Sequence, residues 1–100
     1  MTGGPEGLNA ILHPPARLQI VAVLAQADQI EFARLRDITA VSDSVLSKHL
    51  SALAEAGHIK LSKAVAGGRQ RTWASLTRAG RKAFVAHVAA LEALVATAVG

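Results

Sequence analysis

Cysteine and tyrosine are missing from this sequence of 100 residues, and its only aromatic residues besides histidine are two phenylalanines and one tryptophan. Without cysteine, disulfide frameworks, thiolate nucleophiles and cysteine-ligated zinc are excluded. The sequence also lacks a G-x-S-x-G motif, a phosphate-binding loop and an acid and base at a plausible spacing. We therefore predict a protein that is not an enzyme, needs no cofactor and works in the reducing cytoplasm.

Acidic side chains are absent between Glu55 and Glu92. The chain has a net charge of +4 and eleven lysines and arginines, of which this interval holds Lys60, Lys63, Arg69, Arg71, Arg78, Arg81 and Lys82. Such an asymmetry favours a polyanionic partner, and an ordinary solvated basic surface explains the charge run equally well.

Length and hydrophobic content predict the domain organisation. A chain of 100 residues that is 51% hydrophobic can bury one core. We predict a flexible lead at residues 1–7, which has no signal-peptide pattern, and a single domain at residues 8–100. The apolar segment 83–99 contains His87 and Glu92 and is shorter than the roughly 20 residues that span a membrane, so no membrane segment is predicted.

Apolar spacing and prolines predict the elements of the first 40 residues. A residue before proline avoids the helical region, so His13 ends one helix and Pro15 opens the next. That second helix is apolar on nearly all sides, which is typical of a helix covered from several directions. In order, we predict a short helix at residues 8–12, a helix from Pro15 to about Ala27, a very short strand around Glu31 and Phe32, and a helix at residues 33–39.

The segment VSDSVLSKHLSALAEAG, residues 41–57, is predicted to be an amphipathic helix. Ser42 is placed to cap its start, and Gly57 is placed to end it in a left-handed conformation. The stripe that should dock on the core consists of Leu46, Leu50 and Leu53. The opposite face, expected to be exposed, carries Ser44, Ser47, Lys48, Ser51 and Glu55.

A β-hairpin is predicted next, because apolar and polar residues alternate on both sides of the Gly67-Gly68 turn. Its two half-buried strands carry Ile59 and Leu61, then Ala74 and Leu76. In extended geometry Arg69 and Arg71 point to one side, at an exposed tip where no acidic neighbour is expected. Trp73 is expected to anchor the hairpin on the last helix rather than to stack on a ligand.

The last helix is predicted to begin after Thr77 as its cap and to run to about Ala98. Steps of four and three residues give a coiled-coil seam, formed by Phe84, Val88, Leu91, Val95 and Ala98. A second seam lies beside it, formed by Ala83, His87, Ala90 and Leu94. Because this apolar arc is wider than one small domain can cover, we predict a homodimer packed through residues 78–98.

The stretches TAVSDSVLSKHLSALAEAGHI, KAVAGGRQRTW and LTRAGRKAF follow one another in an order that resembles the winged helix-turn-helix transcription regulators, notably bacterial repressors of the MarR and ArsR kinds. The resemblance covers roughly residues 8–91. It implies a mainly α fold with a small antiparallel β-hairpin wing (α+β) and a C-terminal dimerisation helix. The implied function is sequence-specific binding of double-stranded DNA as a homodimeric regulator, a repressor, with one helix in the major groove and the wing on the minor groove or backbone. Many such turns have glycine where this chain has Ala40.

Short serine side chains suit a recognition helix, because they let its backbone approach the base edges in a groove about 12 Å wide. Lys48 can reach a guanine edge or a phosphate, and Asp43 either favours the helix start or accepts from cytosine. The predicted DNA-contacting residues are Ser42, Asp43, Ser44, Val45, Ser47, Lys48, Ser51, Lys63, Arg69, Gln70 and Arg71. The predicted dimer interface consists of Phe84, Val88, Leu91, Leu94, Val95 and Ala98.

Two other functions stay open. One is a winged-helix adaptor that binds protein and no DNA. The other is a metal-responsive regulator, although the four histidines, His13, His49, His58 and His87, show no ligand-like pair and would need assembly across a dimer. An unknown small-molecule effector also stays open, but no convergent polar cluster is expected between the core and the last helix.

Overall fold

Residues 6–99 are described by a computed structural model and fold into four helices and one three-stranded antiparallel sheet. The helices are α1 (Pro15–Leu24), α2 (Phe32–Thr39), α3 (Asp43–Glu55) and α4 (Arg78–Val99). The strands are β1 (Ile30–Glu31), β2 (Ile59–Ala66) and β3 (Arg69–Leu76), and β3 lies between the other two. The predicted α+β winged-helix architecture is confirmed. Residues 1–5 of the predicted lead lie outside the described residues.

The core lies where α1, α3 and the sheet meet. Three residues of α1 are fully buried, as its apolar sequence predicts: Ile20, Val21 and Leu24. The predicted stripe of α3 is buried as well: Leu46, Leu50 and Leu53. Burying one leucine stabilises a fold by roughly 1.5–3 kcal/mol, so this stripe fixes which face of α3 stays outside.

The predicted helix at residues 8–12 is wrong. Asn9 folds this stretch into a single turn, because its side-chain Oδ1 accepts hydrogen bonds from the backbone N–H groups of Ile11 (2.9 Å) and Leu12 (3.2 Å). Short polar side chains compete with helices in this way. The next helix begins at Pro15 as predicted but ends at Leu24, before the expected Ala27.

The connection between α2 and α3 is closed by a strained residue. Ala40 has a φ of 57° and a ψ of 29°, the left-handed region that an L-residue with a Cβ avoids. Its backbone N–H donates to the carbonyl of Arg36 at 2.8 Å and holds the turn. The turn is therefore made at the position where glycine would be unstrained.

We expect Ala40→Gly to stabilise the fold by about 0.5–1 kcal/mol. Relief of the left-handed strain outweighs the extra freedom that glycine brings to the unfolded chain. Urea unfolding measures the change. As a control, Ala89→Gly, at an exposed position inside α4, should lower the free energy of unfolding by about 1 kcal/mol. Equal losses in both variants would show that Ala40 is not strained.

Both predicted ends of α3 are confirmed. The hydroxyl of Ser42 accepts a hydrogen bond from the N–H of Val45 at 3.3 Å. At the other end Gly57 has a φ of +80°, and the N–H of His58 donates to the carbonyl of Leu53 at 2.9 Å. The bond from His58 to Leu53 belongs to a Schellman motif, which ends α3 at this point.

The hairpin turn is also confirmed, because Gly67 and Gly68 have φ values of +61° and +77°, as a type I′ turn requires. The alternation predicted for β2 is only partly right. Ile59 is buried, but Leu61 is 37% exposed, since β2 is an outer strand and little covers it beyond its first residue.

Trp73 lies on the outer face of the sheet. It is paired across the strands with Glu31 on one side and Ser62 on the other, and side chains alternate along a strand. Trp73 therefore points away from the face of the buried Ala74 and is not among the residues packed on the core. Its expected role as an anchor on the last helix is wrong.

The cap of α4 is as predicted, because the Thr77 hydroxyl accepts from the N–H of Gly80 at 2.9 Å. The helix has 22 residues and reaches Val99. Among residues 6–99 it is the one helix long and apolar enough to cross a membrane by length and composition alone. Its first half packs on the winged body, and most of its second half is exposed.

A histidine cluster joins α4 to the winged body, contrary to the expectation that no polar cluster lies there. The backbone N–H of Asn9 donates to Nδ1 of His87 at 3.0 Å, and its side-chain nitrogen lies 3.3 Å from Nε2 of His58. The rings of His13 and His87 meet edge to face. Gly7 completes the contact, because its Cα packs on Ala86 so closely that a Cβ would be crowded.

Acid is expected to destabilise the fold through His87. Burial, with a smaller contribution from His13, lowers the pKa of His87 below its ordinary 6.5. Between that lowered pKa and about 6.5, the unfolded chain binds a proton that the folded chain does not, so stability is complete above about pH 6.5 and falls below it. Urea unfolding from pH 7.5 to pH 5 should show this loss.

A leucine at position 87 provides the check. His87→Leu lowers stability at pH 7.5, because Asn9 loses its acceptor, but it should flatten the dependence on pH below 6.5. Part of the dependence of stability on pH will remain, because burial, and to a lesser degree Arg17, also lowers the pKa of His49. If His87→Leu keeps the full wild-type slope, the assignment to His87 is wrong.

Candidate nucleic-acid interface

The exposed face of α3 is the one that the sequence predicts. Side chains on it are open to solvent, namely Ser44, Ser47, Lys48, Ser51 and Glu55. Val45 beside them is 40% exposed. The hydroxyls of Ser42 and Ser44 lie 3.3 Å apart at the start of the helix. A surface of short donors and acceptors around one cation can approach base edges closely.

Asp43 is held by a partner that sequence reasoning missed. Nη1 of Arg36, in the last turn of α2, donates to its Oδ1 at 3.0 Å. This hydrogen bond, together with the charge of Asp43, raises the pKa of Arg36. Both side chains are well exposed, so the pair adds little to folding. It does place a cation beside the first turn of α3.

Arg71 corrects the expectation that the wing arginines have no acidic neighbour. Its Nη1 donates to both carboxylate oxygens of Glu31, at 3.0 and 2.9 Å, and its Nε donates to the carbonyl of Ala66. Arg71 thus ties the hairpin to β1. Arg69 is exposed and makes no ion pair among the described residues, so it is the freer of the two predicted contacts.

The remaining wing residues divide between the two faces of the hairpin. Lys63 and Gln70 are exposed, but the register and the alternation of side chains place both on the face opposite Arg69 and Arg71. The structure therefore brings Arg69 and Arg71 together and separates Lys63 from them.

A cleft of about 350 Å³ joins the wing to the helix-turn-helix. One wall is β3, with Arg69, Arg71 and Thr72, and the other is the start of α2 up to Arg36. Arg36, which lines the cleft, also contacts Asp43, the first residue of α3. Arg36 thus links the cleft beside the wing to the start of α3.

Within residues 6–99, no group of three or more His, Asp or Glu side chains is arranged so that it could hold a metal ion. His49 lies at the edge of the core, as expected, where its Nδ1 accepts from Nε of Arg17 at 3.0 Å. His13, His58 and His87 share the joint around Asn9, where two ring nitrogens, Nδ1 of His58 and Nε2 of His87, are buried without a partner among the described residues.

Comparison with known proteins agrees with this geometry. A family model for the winged helix DNA-binding domain matches residues 16–95. An uncharacterized protein from Methanocaldococcus jannaschii is 32% identical over 78 residues, which cover 78% of this chain and 85% of that protein.

Solved structures are similar as well. A transcriptional regulator homologue from Pyrococcus horikoshii OT3 is 25% identical, with a TM-score of 0.81, over 87% of this chain and 86% of the other. A MarR family transcriptional regulator from Silicibacter pomeroyi, 20% identical, shares the fold with a TM-score of 0.67 over 87% of this chain and 57% of its own. The chain belongs to the winged helix DNA-binding domain family.

Proposed function

We propose that the protein is a transcriptional regulator that binds double-stranded DNA in a sequence-specific manner, in the cytoplasm. The observation that carries this proposal is the position of Arg36, which lines a cleft with the wing arginines and contacts Asp43 at the start of α3, the helix that carries the exposed serine face. A helix with short polar side chains can enter a major groove while an adjacent basic wing meets the minor groove or the backbone. By occupying its operator the protein acts as a repressor.

The proposed DNA contacts are the predicted residues, but the two wing arginines now have different roles. Ser44, Ser47, Lys48 and Ser51 face the bases, with Val45 available to a thymine methyl. Arg69 contacts a phosphate or the minor groove, whereas Arg71 is held by Glu31 and positions the wing.

The proposed assembly is a homodimer formed through α4. Its exposed apolar residues include Leu94, Val95 and Val99, at 42%, 61% and 81% exposure. Phe84 instead packs partly on the core, and His87 and Ala90 of the second predicted seam are covered within the protomer. The surface left for a partner is therefore the C-terminal part of the first predicted seam, formed by Leu91, Val95 and Ala98, with Leu94 and Val99 beside it; we call this surface the outer seam.

We expect Lys48→Ala to change sequence preference. A lysine contact to a guanine edge discriminates by about 1–3 kcal/mol, so its loss should relax one base position in each half-site. The measurement is selection of bound duplexes from a random pool, followed by salt titration on the selected sequence. As a control, Lys60→Ala, at an exposed position on β2, should keep the preference.

Two outcomes would contradict the proposal. If the wild-type protein shows no salt-dependent binding to any duplex, it is an adaptor rather than a DNA-binding regulator. If Lys48→Ala weakens all sequences equally, Lys48 contacts a phosphate and does not read a base.

A further inference from the structure

The cleft between the wing and α2 is rich in arginine. Three arginines line it, Arg36, Arg69 and Arg71, against one carboxylate, Glu31. The structure shows two ion pairs within residues 6–99, and each of them holds an arginine of this cleft. The guanidinium groups of Arg36 and Arg71 are thus held in place, and their remaining N–H groups stay available to a ligand.

A duplex bound as proposed must cross this cleft. The major and minor grooves of DNA are separated by a sugar–phosphate strand, so a protein with α3 in one groove and the wing in the next has that strand between them. The cleft occupies the corresponding place on the protein, because Arg36 borders the first turn of α3 and Arg69 borders the wing turn.

We propose that the cleft seats one backbone phosphate of the strand that separates the two grooves, with Arg36 and Arg69 as its ligands. Arg71, fixed by Glu31, is a positioning residue that holds the wing wall in place. This inference rests on the proposed function, and it adds Arg36 to the contacts predicted from the sequence. Guanidinium groups suit phosphate because they present several donors in one plane.

The test isolates Arg36 from its partner. Removing Arg36 alone would also leave the Asp43 carboxylate unpaired at the DNA surface, so the comparison is Asp43→Ala with and without Arg36→Ala. Each phosphate contact contributes about 0.9 to the slope of log K against log salt. A dimer should therefore lose up to about 1.8 in slope on adding Arg36→Ala, the full value applying if Arg69 alone does not neutralise the phosphate. Thermal stability should hardly change, since Arg36 is exposed.

A control and a second measurement sharpen the result. Arg34→Ala, added to Asp43→Ala, removes an exposed arginine about 200° around the same helix and outside the cleft, so the slope should stay the same. On the selected duplex, neutral methylphosphonates are placed one at a time along the strand. One position per half-site should weaken Asp43→Ala strongly and should weaken Asp43→Ala with Arg36→Ala less, because Arg69 alone still contacts that phosphate in the second variant.

The outcomes separate the two proposals. If Asp43→Ala binds DNA and Arg36→Ala leaves its slope unchanged, the phosphate seat is refuted while DNA binding stands. If inorganic phosphate stabilises the wild-type fold in an Arg36-dependent manner and the slope does not move, the cleft takes a free anion and the DNA assignment is wrong. If wild type and Asp43→Ala both fail to bind any duplex, the proposed function itself fails.

Discussion

Gly80→Ala is expected to lower the melting temperature by roughly 10–20 °C, although alanine is the better helix former. Gly80 is buried in the first turn of α4, and a Cβ there would overlap the backbone carbonyl of His58. That carbonyl cannot move aside easily, because it accepts a hydrogen bond from the N–H of Thr77 at 3.1 Å. Overpacking costs about 1–3 kcal/mol and sometimes more. For a domain of this size, 1 kcal/mol shifts the melting temperature by about 4–8 °C.

Thermal unfolding of Gly80→Ala and Ala89→Gly tests this in one helix. Ala89→Gly reports the ordinary preference for alanine, about 1 kcal/mol, at an exposed site. If propensity alone governed both sites, Gly80→Ala would gain what Ala89→Gly loses. A melting temperature for Gly80→Ala at or above wild type would mean that α4 and β2 can separate without cost.

Both ends of α3, its docking stripe and the hairpin turn could be predicted because each depends on neighbouring residues. Ser42 and Gly57 act within a few residues of the helix they cap or end, and the leucines repeat with the helical period. The Gly67-Gly68 turn likewise needs only its own two residues and the flanking alternation. The serine face of α3 followed from the same periodicity, so the central part of the candidate site was visible before the fold was known.

Most of the contacts that the sequence did not predict join parts of the chain that are distant in sequence. Arg71 pairs with Glu31, which lies 40 residues earlier in the chain. Asn9 donates to His87, which lies 78 residues later. Composition even predicted that Arg71 has no acidic neighbour, since no acidic residue lies between Glu55 and Glu92. Arg36 and Asp43 are only seven residues apart, but they meet because Ala40 reverses the chain between them. The cleft, which depends on two of these contacts, therefore had no signal in the sequence.

Val95→Arg is expected to convert the proposed dimer into monomers. Val95 is 61% exposed in the protomer and lies on the outer seam of α4, so the change leaves the folded monomer intact and acts on the partner surface. In a two-fold dimer each interface would bury two new unpaired charges. Leaving a charge unpaired in a buried site costs about 3–5 kcal/mol. Since each 1.4 kcal/mol is a factor of about ten, the dissociation constant should rise by at least ~100-fold.

Ala93→Arg is the matched control, because it adds the same charge to the same helix about 200° away from Val95, at an exposed position outside the seam. Sedimentation at micromolar concentration should show a dimer for wild type and Ala93→Arg, and a monomer for Val95→Arg. Operator affinity should fall with the dimer, since a monomer holds one half-site and loses the benefit of a linked second site. A wild-type monomer in sedimentation, or loss of the dimer in both variants alike, would remove the outer seam of α4 as the interface.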